Sequence, residues 1–263
     1  MHFANSCDAL LMQTSDYLYA LRLCYETGAA NVLMFEDDII VIDGWVAKIR
    51  EALKIIEPKS RSPRDEFWNW VYLRLFYTET SITWEDTDFA WRNINLIFFF
   101  ASVTGVAGMF ILRRAAPMTR RHLDNLSIAV VCSITIPAFI ALYFMIGKLS
   151  LQPPPTVFVL NKHGCCTQGL LFPRSQISDL MKYLEERVHG QTDQMIEDYA
   201  DRDGKQRLAT AKQLVQHVGL QSSRDNSFIN SQSTWAFWFE LNDAQQLRQE
   251  KEYLREKLGT NTK

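Results

Sequence analysis

Residues 31–38 read "NVLMFEDD". Val32 to Phe35 form an apolar run of the length and type of a short buried strand. Glu36, Asp37 and Asp38, which follow at once, are three adjacent carboxylates, and their mutual repulsion requires an offset. Two offsets suit the residues taken alone. One is a hard divalent cation, Mg²⁺ or Mn²⁺, which takes oxygen ligands and shares them with phosphate. The other is solvent, if the acids form a turn leading into a helix that starts near Asp43. The triplet by itself leaves both open.

The flanks set the fold class. Before the strand, "SDYLYALRLCYET" (15–27) has Leu18, Leu21, Leu23 and Tyr25 on helical spacing, with Ser15 or Asp16 to open the helix and Gly28 to close it. After the acids, "DGWVAKIREALKII" (43–56) predicts a second helix with Asp43 as its N-cap. Helix, strand, acidic turn and helix make an α/β pattern. The carboxyl end of a strand is where open α/β sheets place their ligands.

Further along, "DEFWNWVYLRLFYTET" (65–80) alternates apolar and polar residues from Phe67 to Phe76 and predicts a strand. "TVFVL" (156–160) and "LVQHVGLQSS" (214–223) predict two more, with "CCTQGLLFP" (165–173) a further apolar stretch. "SQISDLMKYLEERV" (175–188) predicts an amphipathic helix capped by Ser175, and "TDQMIEDYADRDG" (192–204) begins another. The tail "NDAQQLRQEKEYLREKLG" (242–259) reads as a charged, solvated helix.

Two stretches carry no charge at all: Ile94 to Leu112 and Leu126 to Gly147. As helices they would be about 28–33 Å long, the thickness of a bilayer's hydrocarbon core. Ala101, Gly105 and Gly108 on the first, and Ser127, Ser133 and Ala138 on the second, would allow close backbone approach. Pro137 is tolerable in the second if its freed carbonyl finds a donor. The connector, residues 113–125, holds Arg113, Arg114, Arg120 and Arg121, and short arginine-rich loops stay in the cytosol. The expectation is a transmembrane hairpin over 94–147, with helices 94–112 and 126–147 and a cytosolic loop 113–125. Residues 1–93 and 148–263 then share the lumenal side. Neither flank offers enough strands for a domain of its own, so the two together predict one α/β domain interrupted by the hairpin.

Lys and Arg number 28 against 30 Asp and Glu, so no global charge points to nucleic acid. Of five cysteines, Cys132 falls within an apolar helix, whereas Cys7, Cys24, Cys165 and Cys166 would be lumenal, where disulfides persist. Their connectivity is not set by the sequence.

"LMFEDD" (33–38), the paired apolar helices, "HGCCTQGLLFPR" (163–174) and "QHVGLQSS" (216–223) together carry a resemblance. The chain resembles Golgi glycosyltransferases of the GT-A fold. More narrowly, it looks like the GPI-anchor side-chain N-acetylgalactosamine transferases, whose GT-A domain is split by a tandem pair of transmembrane helices. The resemblance implies that Glu36, Asp37 and Asp38 hold Mn²⁺ (or Mg²⁺) against the diphosphate of a UDP-sugar donor. Asp38 and then Glu36 are the foremost metal ligands, with His217 returning to the metal from the later half. Asp193, Glu197 and Asp198 are the candidates for the catalytic base, and Thr167 and Gln168 for hydrogen bonds on the acceptor side. It also implies a GPI-anchor glycan as acceptor and a multi-pass protein of the Golgi membrane with a lumenal catalytic domain.

The residues alone also allow His217 to be a structural strand histidine and the 193–198 acids to be an ordinary acidic first turn of a helix. Only 35 residues precede Glu36, fewer than the resemblance implies, so the expectation is a chain lacking the N-terminal part that holds the uridine. The alternatives are a transferase acting on N-glycans or another lumenal acceptor, and a truncated, inactive membrane protein.

The arginine-rich connector gives the first test. An epitope inserted within residues 115–119 is expected to be digested by protease added outside intact Golgi vesicles. Digestion only after detergent treatment would reverse the orientation.

Overall fold

A computed structural model describes residues 2–148, 154–162, 167–187, 190–219 and 235–259. The chain forms two compact units, Met1–Ser81 with Pro154–Lys263, and Ile82–Pro153. In chain order, the first unit opens with α1 (His2–Glu26), β1 (Asn31–Phe35), β2 (Ile39–Val41), α2 (Trp45–Ile56) and β3 (Trp70–Arg74). The second unit holds α3 (Phe89–Arg92), α4 (Ile94–Ala115), α5 (Asn125–Val130) and α6 (Ile136–Ile146). The first unit then resumes with β4 (Val157–Val159), β5 (Gly169–Pro173), α7 (Arg174–Glu186), α8 (Thr192–Arg202), β6 (Gln206–Thr210), β7 (Val215–His217), α9 (Phe237–Glu240) and α10 (Ala244–Gly259).

Five strands make one mixed sheet in the order β1-β5-β3-β6-β4. β5 runs antiparallel to both β1 and β3, β3 is parallel to β6, and β4 is antiparallel to β6. β1, β3 and β6 therefore point the same way and share one carboxyl edge. Two apolar layers cover the sheet. One packs Ile49, Ala52 and Ile56 of α2 and Leu247 of α10 onto Leu73, Leu171 and Leu208. The other packs Leu21 of α1, Ile177 and Leu180 of α7, and Met195 and Ile196 of α8 onto Val32, Met34, Leu170 and Phe172. Helices on both faces explain why all five residues of β3 are buried. The alternation read from "WNWVYLRLF" does not become an alternation of exposure.

Several local expectations are corrected. Asp43 does not cap α2. Gly44 takes the N-cap in a left-handed conformation (φ 79°), while the Asp43 carboxylate meets Lys251 of α10 at 2.6 Å. That contact holds the Asp43 carboxyl below its usual range. Ser175 lies inside α7, whose N-cap is Pro173 at the end of β5, so strand runs directly into helix. The charged tail is not wholly solvated. Leu247 and Leu254 of α10 are buried, and its Glu250 meets Lys48 of α2 at 2.5 Å and Lys212 at 3.0 Å. β2 and β6 are strands that the hydrophobic pattern does not reveal. Cys24 and Cys132 are free thiols, Cys165 and Cys166 lie outside the described residues, and so does the side chain of Cys7.

In the second unit, Ile94–Ala115 and the continuous segment Asn125–Ile146 are both 22 residues long, and 18-residue windows within them have mean hydropathy 2.0 and 2.3. Each is long and apolar enough to cross a membrane. α4 packs against α6. A Cβ on Gly105 would stand 2.5 Å from Ile136 Cδ1, so at this point the Ile136 side chain packs directly against the α4 backbone. α5 joins α6 through a π-helical turn, Val131–Thr135, in which the Ile136 N–H reaches back to the Val131 carbonyl. The wide turn ends just before Pro137, the residue that cannot donate to the helix, and such turns commonly relieve that defect. Trp84, Trp91, Tyr143 and Phe144 cluster with ring centroids 5.0–5.9 Å apart.

The doubly covered sheet predicts a clear asymmetry. Leu73→Ala, at a fully buried position on β3, should cost about 3 kcal/mol and lower the melting temperature of the detergent-solubilised protein. Leu241→Ala, at a position 78% exposed, should leave it unchanged.

Candidate functional site

β1 stops at Phe35, and the chain passes through Glu36, Asp37 and Asp38 before pairing again as β2. β2 pairs antiparallel with β7, setting Ile39 opposite His217. This short ribbon brings two parts of the chain, 179 residues apart, into contact. His217 Nε2 lies 3.0 Å from Asp38 Oδ2, and the Val218 N–H donates to the Asp38 carbonyl at 2.9 Å. Glu36, Asp38 and His217 each offer a ligand atom, and these atoms all lie within 4.8 Å of one another. All three side chains are half-buried, whereas Asp37 is exposed and stands outside the cluster.

Glu36 is the deepest of the acids. Burial pushes its carboxyl above the usual range, the Thr167 hydroxyl that donates to it pulls it back, and the Asp38 charge pushes it up again. Thr167 is thus taken up in orienting Glu36. Asp38 Oδ1 is buried and has no hydrogen-bond partner among the described residues. Gly219 passes so close that a Cβ there would stand 2.0 Å from Asp38 Oδ2 and 2.9 Å from His217 Nε2. Two carboxylates, one of them carrying the buried Asp38 Oδ1, and one imidazole form a donor set suited to Mn²⁺ or Mg²⁺.

The three acids of α8 are not brought together. Asp193, in the first turn, is half-buried, and its field reaches Glu36. Asp198 pairs with Arg187 at 2.7 Å near the surface. Glu197 is buried in an ion-pair network. Its Oε1 accepts from Tyr72 Oη at 2.5 Å and from Arg74 Nη2 at 2.7 Å, and its Oε2 accepts from Arg207 Nε. Arg207 Nη2 also donates to the Glu197 carbonyl at 2.8 Å and to Asp201 at 2.9 Å. With both oxygens engaged, Glu197 serves the packing of α8 on β3 and β6. Gln168, beside Thr167, is buried where β1 and β5 part.

A family model described as GPI-N-acetylgalactosamine transferase PGAP4 matches residues 5–216. The chain belongs to this family. The span of the PGAP4 match includes Glu36, Asp38 and Asp193, ends one residue before His217, and the family is one of glycosyltransferases. No curated protein and no solved structure matches the chain.

Sequence reasoning passes over Arg74, Arg207 and Gly219. A signal existed for the first, since an arginine inside "WVYLRLF" must find a buried counter-charge. Gly219 is the sharper test of the site. Gly219→Ala should weaken Mn²⁺ binding at least about tenfold, read by calorimetry on the purified protein, because Asp38 and His217 must move apart.

Proposed function

We propose that the chain is a membrane-bound transferase moving N-acetylgalactosamine from its UDP-sugar donor to the glycan of a GPI anchor. The observation that carries this reading is the meeting of Glu36, Asp38 and His217 at the carboxyl edge of the sheet, in a member of the PGAP4 family. Residues 1–93 and 148–263 act as two lumenal parts of one GT-A-like domain. Residues 94–147 act as a transmembrane hairpin of the Golgi membrane. The compact units and the pairing of β1 with β5 support that division.

Glu36, Asp38 and His217 would hold Mn²⁺, which supplies charge neutralisation for the departing diphosphate. Thr167 orients Glu36, and the ribbon contact to His217 orients Asp38. Asp193 is the acid placed to take the proton from the acceptor hydroxyl, since its charge is felt at Glu36 and Glu197 and Asp198 are held by arginines.

Purified full-length protein should transfer sugar from UDP-N-acetylgalactosamine to a GPI glycan with MnCl₂ and stop when EDTA is added. Asp38→Ala should lower the rate by on the order of 10²–10³ with the fold intact. Transfer undiminished in EDTA, or in Asp38→Ala, would overturn the metal role. No transfer to GPI glycans under any metal would overturn the reaction.

A further inference from the structure

The ribbon that brings Asp38 to His217 holds a fully buried polar side chain, Gln216, which the metal set does not use. The β2 half of the ribbon is held little by burial, since Ile40 and Val41 are both exposed. β7 is the half that is fixed. Val215 is buried in the apolar layer that α2 covers. Side chains alternate along a strand, so His217 shares the face of Val215 and Gln216 takes the opposite one.

On that opposite face Gln216 closes on the backbone of Ala236. Its Oε1 accepts from the Ala236 N–H at 3.1 Å, and its Nε2 donates to the Ala236 carbonyl at 3.4 Å. The amide thus pairs with Ala236 as the backbone of a neighbouring strand would. Ala236 is itself fixed. It is buried in the same apolar layer, and its carbonyl also accepts from the Phe239 N–H at 3.1 Å. Gln213, which is 2% exposed, grips Tyr77 in the same manner, accepting from its N–H at 3.1 Å and donating to its carbonyl at 2.7 Å. Residues 213–217 are therefore suspended by two amide clamps. A buried amide costs stability unless its polar atoms are satisfied, and a satisfied one specifies a single arrangement. Rotation of β7 about its own axis would break the Gln216 clamp and would swing His217 away from Asp38, now 3.0 Å distant.

We propose that Gln216 is a positioning residue of the metal site, whose clamp on Ala236 sets the direction in which His217 faces Glu36 and Asp38. The proposal rests on the reading that Glu36, Asp38 and His217 hold Mn²⁺, and it adds the residue that aims the imidazole. An apolar side chain at 216 would fill the same space without fixing that direction, because packing lacks the directionality of a hydrogen bond.

Full-length protein in detergent is titrated with MnCl₂ by calorimetry, as wild type, Gln216→Met, Gln216→Asn, His217→Ala and the double variant of Gln216→Met with His217→Ala. Gln216→Met keeps the length of the side chain without its hydrogen bonds, and Gln216→Asn keeps the amide without its reach. Each should weaken Mn²⁺ binding about tenfold. In the His217→Ala background, Gln216→Met should change the affinity by less than about twofold, because no imidazole is left to aim. Leu73→Ala, which opens the core away from the clamp, should bind Mn²⁺ as wild type does. Wild-type affinity in a folded Gln216 variant overturns the proposal. So does an equal loss with and without His217, or an equal loss in Leu73→Ala, since either marks a general loosening of the fold. Failure of both Gln216 variants to fold overturns it too, by making Gln216 a residue of the core alone. A wild type that does not bind Mn²⁺ overturns the metal reading and, with it, this one.

Discussion

The position of α8 depends on one buried carboxylate. Glu197 lies between the guanidiniums of Arg74 and Arg207, with the Tyr72 hydroxyl on the same oxygen as Arg74. Two cations taken into a sheet–helix interface demand an anion, and half-exposed Asp201 supplies only part of it. A buried pair of this kind adds little net stability over an apolar core, but removing one partner leaves an uncompensated buried charge. Once Glu197 is in place, Thr192 meets Thr14 and Asp193 comes within electrostatic reach of Glu36. The network thus fixes how the sheet's carboxyl edge is framed by α1 and α8.

The metal-facing half of the site is set by a different device. The mixed sheet ends at Phe35, and only three residue pairs of β2 and β7 carry the chain past the acids. That ribbon is too small to be held by burial alone. Its geometry comes from the Asp38–His217 contact, the Val218 N–H on the Asp38 carbonyl, and the tight passage of Gly219. Glu36, by contrast, is steered from the sheet side by Thr167, two residues before the β5 segment. The two carboxylates are oriented by separate elements and converge.

What the sequence made legible follows from how local each signal is. β1 and the acids after it were readable because an apolar run followed by like charges has few explanations. The apolar helices were readable because eighteen or more uncharged residues are unmistakable. α8 was readable, but the roles of its acids were not. Glu197 and Asp193 share a helix face, and only the arginines of β3 and β6, far away in sequence, separate a structural acid from an available one. β2 and β6 were missed because "IIV" and "QRLAT" are too short or too polar to announce a strand, and partners supplied from elsewhere make them so. Asp43 looked like a helix cap by type and place, yet Lys251 of α10 claims its carboxylate and Gly44 turns the backbone instead.

The sheet order bears on how the chain is made. β1 and β3 are parallel and do not touch; the strand between them is β5. β1 and β3 therefore leave the ribosome before their common partner, and the whole of the apolar second unit is synthesised in between. Until Gly169–Pro173 arrives, both strands carry open edges and uncovered apolar faces, the state most exposed to mispairing. Folding of the first unit can therefore finish only after the second unit has been synthesised.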